Sequence, residues 1–173
     1  MAGAIMTSVK DNWCTPEELL IPVRKFFGTI DLDPCWNPSA TTAATECFDL
    51  TRGQDGLELA WGKRRVFVNP PWGRVIPHWT EKAYDESYAR GAGVVMLLPA
   101  NTDTVAWQRD IFPHARAVCF LKGRITFIDP DTGLPAAAGV TKGAAFVYFG
   151  KRSYVDFRNV FGSYGHVIGR VQV

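Results

Sequence analysis

Five consecutive apolar residues, Val94-Val95-Met96-Leu97-Leu98, constrain this chain more than any other stretch. A run without polar alternation suits a strand covered on both faces, and Pro99 ends it. Strand and helix signals alternate on either side of it. Thr15-Pro16-Glu17-Glu18 reads as a helix start, with Thr15 at the N-cap, Pro16 at the first position and Glu18 completing a capping box. That helix runs toward Phe27, with Pro22 expected to kink or shorten it and Gly28 to stop it. Short strands are expected over Thr29–Leu32, Cys47–Leu50 and Val66–Val68, with a helix from Ser39 to about Glu46 and mostly loop from Thr51 to Gly62.

Pro77 opens a clear helix that Gly91 closes, and Asp103 to Phe112 forms another. The remainder is strand-rich, with Ala117–Leu121, Ile125–Ile128 and Ala144–Phe149 as strands. The loop Asp129 to Lys142 is long for a simple hairpin, which makes it a candidate substrate loop. The expected architecture is a three-layer α/β sheet, mostly parallel, with a late antiparallel strand. Ligands in such sheets bind beyond the carboxyl ends of the strands. Asp33, Asn69 and Pro99-Ala100-Asn101 each follow an expected strand, so they share one edge.

At 173 residues the chain reads as one domain, with residues 1–12 as a flexible lead-in. No apolar run approaches transmembrane length, and the N-terminus lacks a signal-peptide hydrophobic region. Cys14, Cys35, Cys47 and Cys119 form no C-x-x-C pair and have no zinc spacing with the histidines, so they read as reduced thiols of a cytoplasmic protein. A net charge of +2 does not announce a nucleic-acid binder. The local clusters Lys63-Arg64-Arg65, Lys122 with Arg124, and Lys151-Arg152 could meet phosphates or simply be solvated.

The chemistry concentrates in Asn69-Pro70-Pro71-Trp72, directly after Val66-Phe67-Val68. Both prolines lack N–H donors, and Pro70 biases Asn69 toward an extended conformation. The turn is stiff, with carbonyls free to accept. The Asn69 amide oxygen is a second acceptor, and Trp72 offers a face for stacking. Two acceptors and a stacking plate suit a planar ring carrying an exocyclic amine. As structure alone, the same residues make a Pro-rich turn with Trp72 packed inside.

This stretch resembles the [DNS]-P-P-[YFW] signature of S-adenosylmethionine-dependent amino methyltransferases. Three further pieces resemble that family in the same order. Trp13-Cys14-Thr15-Pro16 is similar to the W-x-T-P element of adenine methyltransferases, which implies that Thr15 and Pro16 contact the methionine end of the cofactor. Leu32-Asp33-Pro34-Cys35 resembles the opening of the L-D-P-x-x-G-x-G cofactor motif. There Asp33, with Pro34, would reach the cofactor amine or organise the loop beneath it. Trp36-Asn37-Pro38-Ser39-Ala40 replaces the glycines of that motif. Gln54-Asp55-Gly56-Leu57 resembles the D-x-L element, implying that Asp55 accepts from the adenine of the cofactor while Leu57 packs on the ring. Asp49, at the end of the second expected strand, is a candidate for the ribose hydroxyls, and the ribose ligand stays open.

Together with Leu97–Thr104 and Trp107, Phe120–Ile125 and Phe127, and Tyr148-Phe149-Gly150, the order resembles the phage and prophage DNA N6-adenine methyltransferase (Dam-like) family over about residues 12 to 162. The resemblance implies a Rossmann-like fold and methyl transfer from S-adenosylmethionine to adenine N6 in DNA. The target base would be flipped into a pocket of Asn69, Pro70, Pro71 and Trp72. RNA adenine, DNA cytosine N4 and protein glutamine share the proline motif as acceptors. A non-catalytic DNA-binding phage protein is the alternative from another class, favoured by the altered glycine loop. Nothing in the sequence indicates a homo-oligomer or a metal, and dimerisation stays open.

Overall fold

A computed structural model describes residues 13–137 and 139–170; the expected lead-in over residues 1–12 lies outside them. The apolar run forms β4 (Gly93–Pro99), buried from Val94 onward in the middle of a seven-stranded sheet. On one side it pairs in parallel with β3 (Arg65–Val68), which is followed outward by β1 (Leu32–Asp33) and β2 (Glu46–Cys47). On the other side β4 pairs antiparallel with β6 (Ala144–Phe149), followed by β5 (Ala117–Leu121) and β7 (Gly165–Gly169). The order is β2-β1-β3-β4-β6-β5-β7. These registers give β1 to β5 one common direction, with β6 and β7 opposing it. The expected late antiparallel strand is therefore β6, and β7 adds a second.

Side chains of each strand alternate between two cores. Val66, Val68, Val94, Met96 and Leu98 face α2 (Ile76–Arg90) and a π-helix over Ala106–Ile111 that runs into α3 (Phe112–His114). Phe67, Val95, Leu97 and Phe146 face the aromatic pack that α1 (Glu17–Phe27) and α4 (Tyr154–Phe161) contribute, including Phe26, Phe157 and Phe161. The molecule is a three-layer α/β fold of the Rossmann-like kind.

Four local expectations change. The N-cap of α1 is Pro16 and makes no side-chain cap bond, so Thr15 is free for another partner. α1 also passes Pro22 unbroken as far as Phe27, with the Pro22 ring buried. Ser39 to Glu46 is not helical. Its amides pair along the sheet instead, Thr45 N–H to the Ile30 carbonyl at 3.0 Å and Glu46 N–H to that of Asp31 at 2.9 Å. Ile125–Ile128 forms no continuous strand. Only Ile128 bridges, to Cys14 and to Pro135, while the Ile125 and Phe127 side chains are buried as a lid on the second core.

Candidate active site

Because β1, β3 and β4 are parallel, their carboxyl ends open on one edge. β3 ends at Val68 and presents Asn69 there. The Asn69 amide donates from Nδ2 to the Thr15 hydroxyl at 3.1 Å. Its Oδ1 is buried and has no hydrogen-bond partner among the described residues. An unsatisfied buried acceptor costs about 1–3 kcal/mol, so its presence calls for a reason. Pro70 is buried, while Pro71 and Trp72 are half-buried. Trp72 is fixed by an Nε1 bond to the Leu97 carbonyl (3.3 Å) and by the Phe127 ring, edge-on at 5.3 Å.

Asn69 and Trp72 line different hollows, with the proline turn between them. Asn69 shares a small recess with Trp13, Cys14, Thr15, Asp33 and Thr42. Trp72 lines a cavity of about 560 Å³ with Arg74, Asn101, Asp103, Trp107 and Lys142. One wall of that cavity is the π-helix, whose wide turn is tied down by the Trp107 Nε1 bond to the Pro99 carbonyl at 2.9 Å.

Asp33 is fully buried at the end of β1. Its Oδ1 accepts from the Cys35 amide (3.0 Å) and its Oδ2 from the Thr42 hydroxyl (2.7 Å). Burial pushes its pKa up to about 6 despite those two hydrogen bonds. These two bonds tie the turn after β1 to the segment that carries Thr42. In place of the missing glycines, tethers hold the loop. Asn37 Oδ1 accepts from the Ser39 amide at 3.0 Å, and the Ser39 hydroxyl donates to the Pro130 carbonyl at 3.0 Å.

Asp55 makes an Asx turn, accepting from the Leu57 amide at 2.9 Å. Between them Gly56 lies flat on the Asp33-Pro34 turn, since a Cβ there would sit 2.2 Å from the Pro34 carbonyl oxygen. Asp55 and Leu57 thus reach the Pro34–Cys35 loop but lie outside the lining of the Asn69 recess. Burial, with the Asp33 and Asp55 carboxylates beside it, holds the Cys35 thiol well above its ordinary pKa. Pro16 and Pro34 are buried packing residues.

Asp49 makes local hydrogen bonds through one of its two oxygens. Its Oδ1 caps the 3₁₀ turn Leu50–Arg52 through the Thr51 amide (2.9 Å) and hydroxyl (2.7 Å), and the Thr51 hydroxyl leads in holding its pKa low.

The basic clusters divide between the two edges of the sheet. Lys122 and Arg124 follow β5 on the site edge, and the Arg124 guanidinium lies against Gly143, next to Lys142. Lys63-Arg64-Arg65 leads into β3 at the opposite edge. There Arg65 chelates Asp31 (2.5 and 2.8 Å) and Arg64 pairs with Glu46 (3.0 Å). That cluster is structural ion pairing, away from the site. Sequence reasoning missed Thr42, Arg74 and Lys142. Thr42 lies in the segment read as a helix, and Lys142 closes the loop marked as a candidate substrate loop.

Comparison with known proteins adds a separate line of argument to this geometry. The model of a family described as DNA N-6-adenine-methyltransferase (Dam) matches residues 3–164. A DNA N-6-adenine-methyltransferase of Escherichia phage T1 is 29% identical over 153 residues, which covers 79% of this chain and 61% of that protein. One of Haemophilus phage HP1 (strain HP1c1) is 29% identical over 128 residues, covering 73% of this chain and 71% of its own length. The match therefore spans less than two thirds of the T1 protein. The family match over residues 3–164 takes in all four motifs, and the chain belongs to the DNA N-6-adenine-methyltransferase (Dam) family.

Proposed function

We propose that this protein transfers a methyl group from S-adenosylmethionine to the N6 amine of adenine in DNA. The observation that carries the reading is the Asn69 Oδ1, a buried acceptor kept without a partner at the end of β3. An exocyclic amine is the donor such an atom lacks. None of the described residues donates to it.

The residues present fit the cofactor. Asp33 lines the recess beside Asn69 and is a buried carboxylate suited to a positively charged ligand. Asp55 and Leu57 sit on the adjoining loop as candidates for the adenine end. When bound, S-adenosylmethionine supplies an electrophilic methyl group. The chain's own part is orientation. Asn69 Oδ1 and the Pro70 carbonyl accept the two amine hydrogens and favour a pyramidal nitrogen with an exposed lone pair. This is positioning and electrostatics, with no strong base required. An adenine flipped from the duplex would have to meet both hollows, its ring at the cavity lined by Trp72 and Trp107 and its amine at the Asn69 recess, with Pro71 stiffening the turn between them. No helix among the described residues is long and apolar enough to cross a membrane.

Incubating the protein with S-adenosylmethionine and methyl-free plasmid, then measuring nucleosides by mass spectrometry, tests the reaction. N6-methyldeoxyadenosine supports it. Its absence, with cofactor binding intact, sends the search to RNA or protein acceptors.

Two further outcomes are expected. Asp33 ionises only near pH 6, and a cationic ligand favours its ionised form. Cofactor affinity should therefore rise with pH through about 6 and level off above it. Below the pKa it should fall by about tenfold per pH unit. Calorimetry from pH 5 to 8 reads this, and Asp33→Asn should flatten the profile. At the cavity, Arg74 and Lys142 are placed to meet phosphates. Replacing both with glutamine should lower the salt slope of DNA binding by about 2, at about 0.9 per contact. An unchanged slope makes them ordinary surface.

A further inference from the structure

The Thr-Pro element is associated by resemblance with the cofactor, yet the Thr15 side chain is engaged elsewhere. Its hydroxyl takes the nitrogen end of the Asn69 amide at 3.1 Å, across 54 residues of sequence. That contact leaves Oδ1, and not Nδ2, as the end without a partner. The two ends of an amide are nearly identical in shape but opposite in hydrogen-bonding sense. Rotated by half a turn, Asn69 would meet a substrate amine donor to donor.

Thr15 is itself held from several directions. Cys14, the preceding residue, exchanges two backbone hydrogen bonds with Ile128, both 3.0 Å. The Thr15 carbonyl accepts from the Thr41 hydroxyl at 3.4 Å, and α1 begins two residues later. Thr15 as a whole is 5% exposed. A short, rigidly mounted hydroxyl of this kind restricts the amide in a way that solvent would not.

We infer that Thr15 is a positioning residue for the reaction. It holds the Asn69 amide by its nitrogen so that the oxygen faces the recess. The kinetic consequence rests on the methyl-transfer reading, whereas the geometric one does not. Thr15→Val keeps the shape and removes the hydroxyl; Thr15→Ser keeps the hydroxyl.

In ¹⁵N-labelled protein the Asn69 side-chain amide should exchange slowly in the unmodified chain and in Thr15→Ser, and at least tenfold faster in Thr15→Val. Turnover of Thr15→Val should fall by about 10–100-fold, because small misplacements of a reacting group cost rates of that order. Its affinity for S-adenosylmethionine should stay within threefold, and Thr15→Ser should recover most of the turnover. Unchanged Asn69 exchange in Thr15→Val overturns the inference whatever the activity. Parallel loss of cofactor affinity and turnover also overturns it, and returns Thr15 to a cofactor-binding role. Should the unmodified protein methylate nothing, the functional reading fails while the exchange data still decide where the amide is held.

Discussion

Asn69→Ala is expected to lower methyl transfer by about 10²–10³-fold while leaving the protein as stable as before, or more so. The kinetic figure follows from losing one preorganised polar partner at the reacting group. The stability argument follows from bookkeeping of the amide's two ends. The Nδ2 bond to Thr15 contributes about 0.5–1.5 kcal/mol, while the stranded Oδ1 costs about 1–3 kcal/mol. Removing both leaves a net change near zero or favourable. A residue kept for packing behaves in the opposite way, since its loss weakens fold and activity together. Activity that is a liability to stability is the signature of a functional group. Steady-state turnover, the calorimetric affinity for S-adenosylmethionine and a urea melt on one preparation decide the matter. A large drop in the melting midpoint with proportionate loss of cofactor binding would make Asn69 a structural residue.

Whatever depended on local signals was readable in the sequence. The Val94–Leu98 run, the Val66–Val68 strand and the Pro77 to Gly91 helix all formed where composition put them. Because the strands bearing the motifs are parallel, Asp33, Asn69 and Asn101 reached one edge as expected. What failed was set by partners distant in sequence. Ser39–Glu46 looked helical, but Thr42 is drawn to the Asp33 carboxylate and the following amides to the sheet. The basic run Lys63–Arg65 looked like a phosphate patch until Asp31 and Glu46 were seen to neutralise it. β7 went unseen because both its ends are glycine. A Cβ on Gly165 would sit 1.9 Å from the Phe120 carbonyl oxygen, and one on Gly169 would sit 2.2 Å from the Tyr154 ring, so close packing demands residues that read as loop. The contact of Thr15 with Asn69 lay beyond any local pattern, since its residue types suited a helix cap equally well.

Glu86→Ala should destabilise the protein by about 3–5 kcal/mol, although Glu86 lies on a helix remote from the chemistry. It is 2% exposed. Its Oε2 accepts from the Trp61 and Gly62 amides at 3.0 and 3.2 Å, while Oε1 pairs with Lys82 (2.9 Å) and Arg90 (3.4 Å). Alanine would strand the buried Trp61 amide and the half-buried Gly62 amide and leave Lys82 against the core. For a chain of this size each kcal/mol shifts the thermal midpoint by about 2–4 °C, so a fall of about 6–20 °C is expected. The damage should also travel. Trp61 is fully buried, its Nε1 donates to the Gly56 carbonyl at 2.8 Å, and its ring stacks on Trp79 at 6.3 Å. Gly56 in turn lies on the Pro34 carbonyl, between Asp55 and Leu57. Loosening Trp61 therefore frees the Asp55 loop while Asn69 keeps its bond to Thr15. Below the new midpoint, Glu86→Ala should bind S-adenosylmethionine more weakly yet turn over near the normal rate at saturation. This is the reverse of the split expected for Asn69→Ala. A midpoint within 2 °C of the unmodified protein would remove Glu86 as the anchor of this loop. Equal loss of saturated turnover and affinity would mean that the cofactor loop and the Asn69 turn move as one unit.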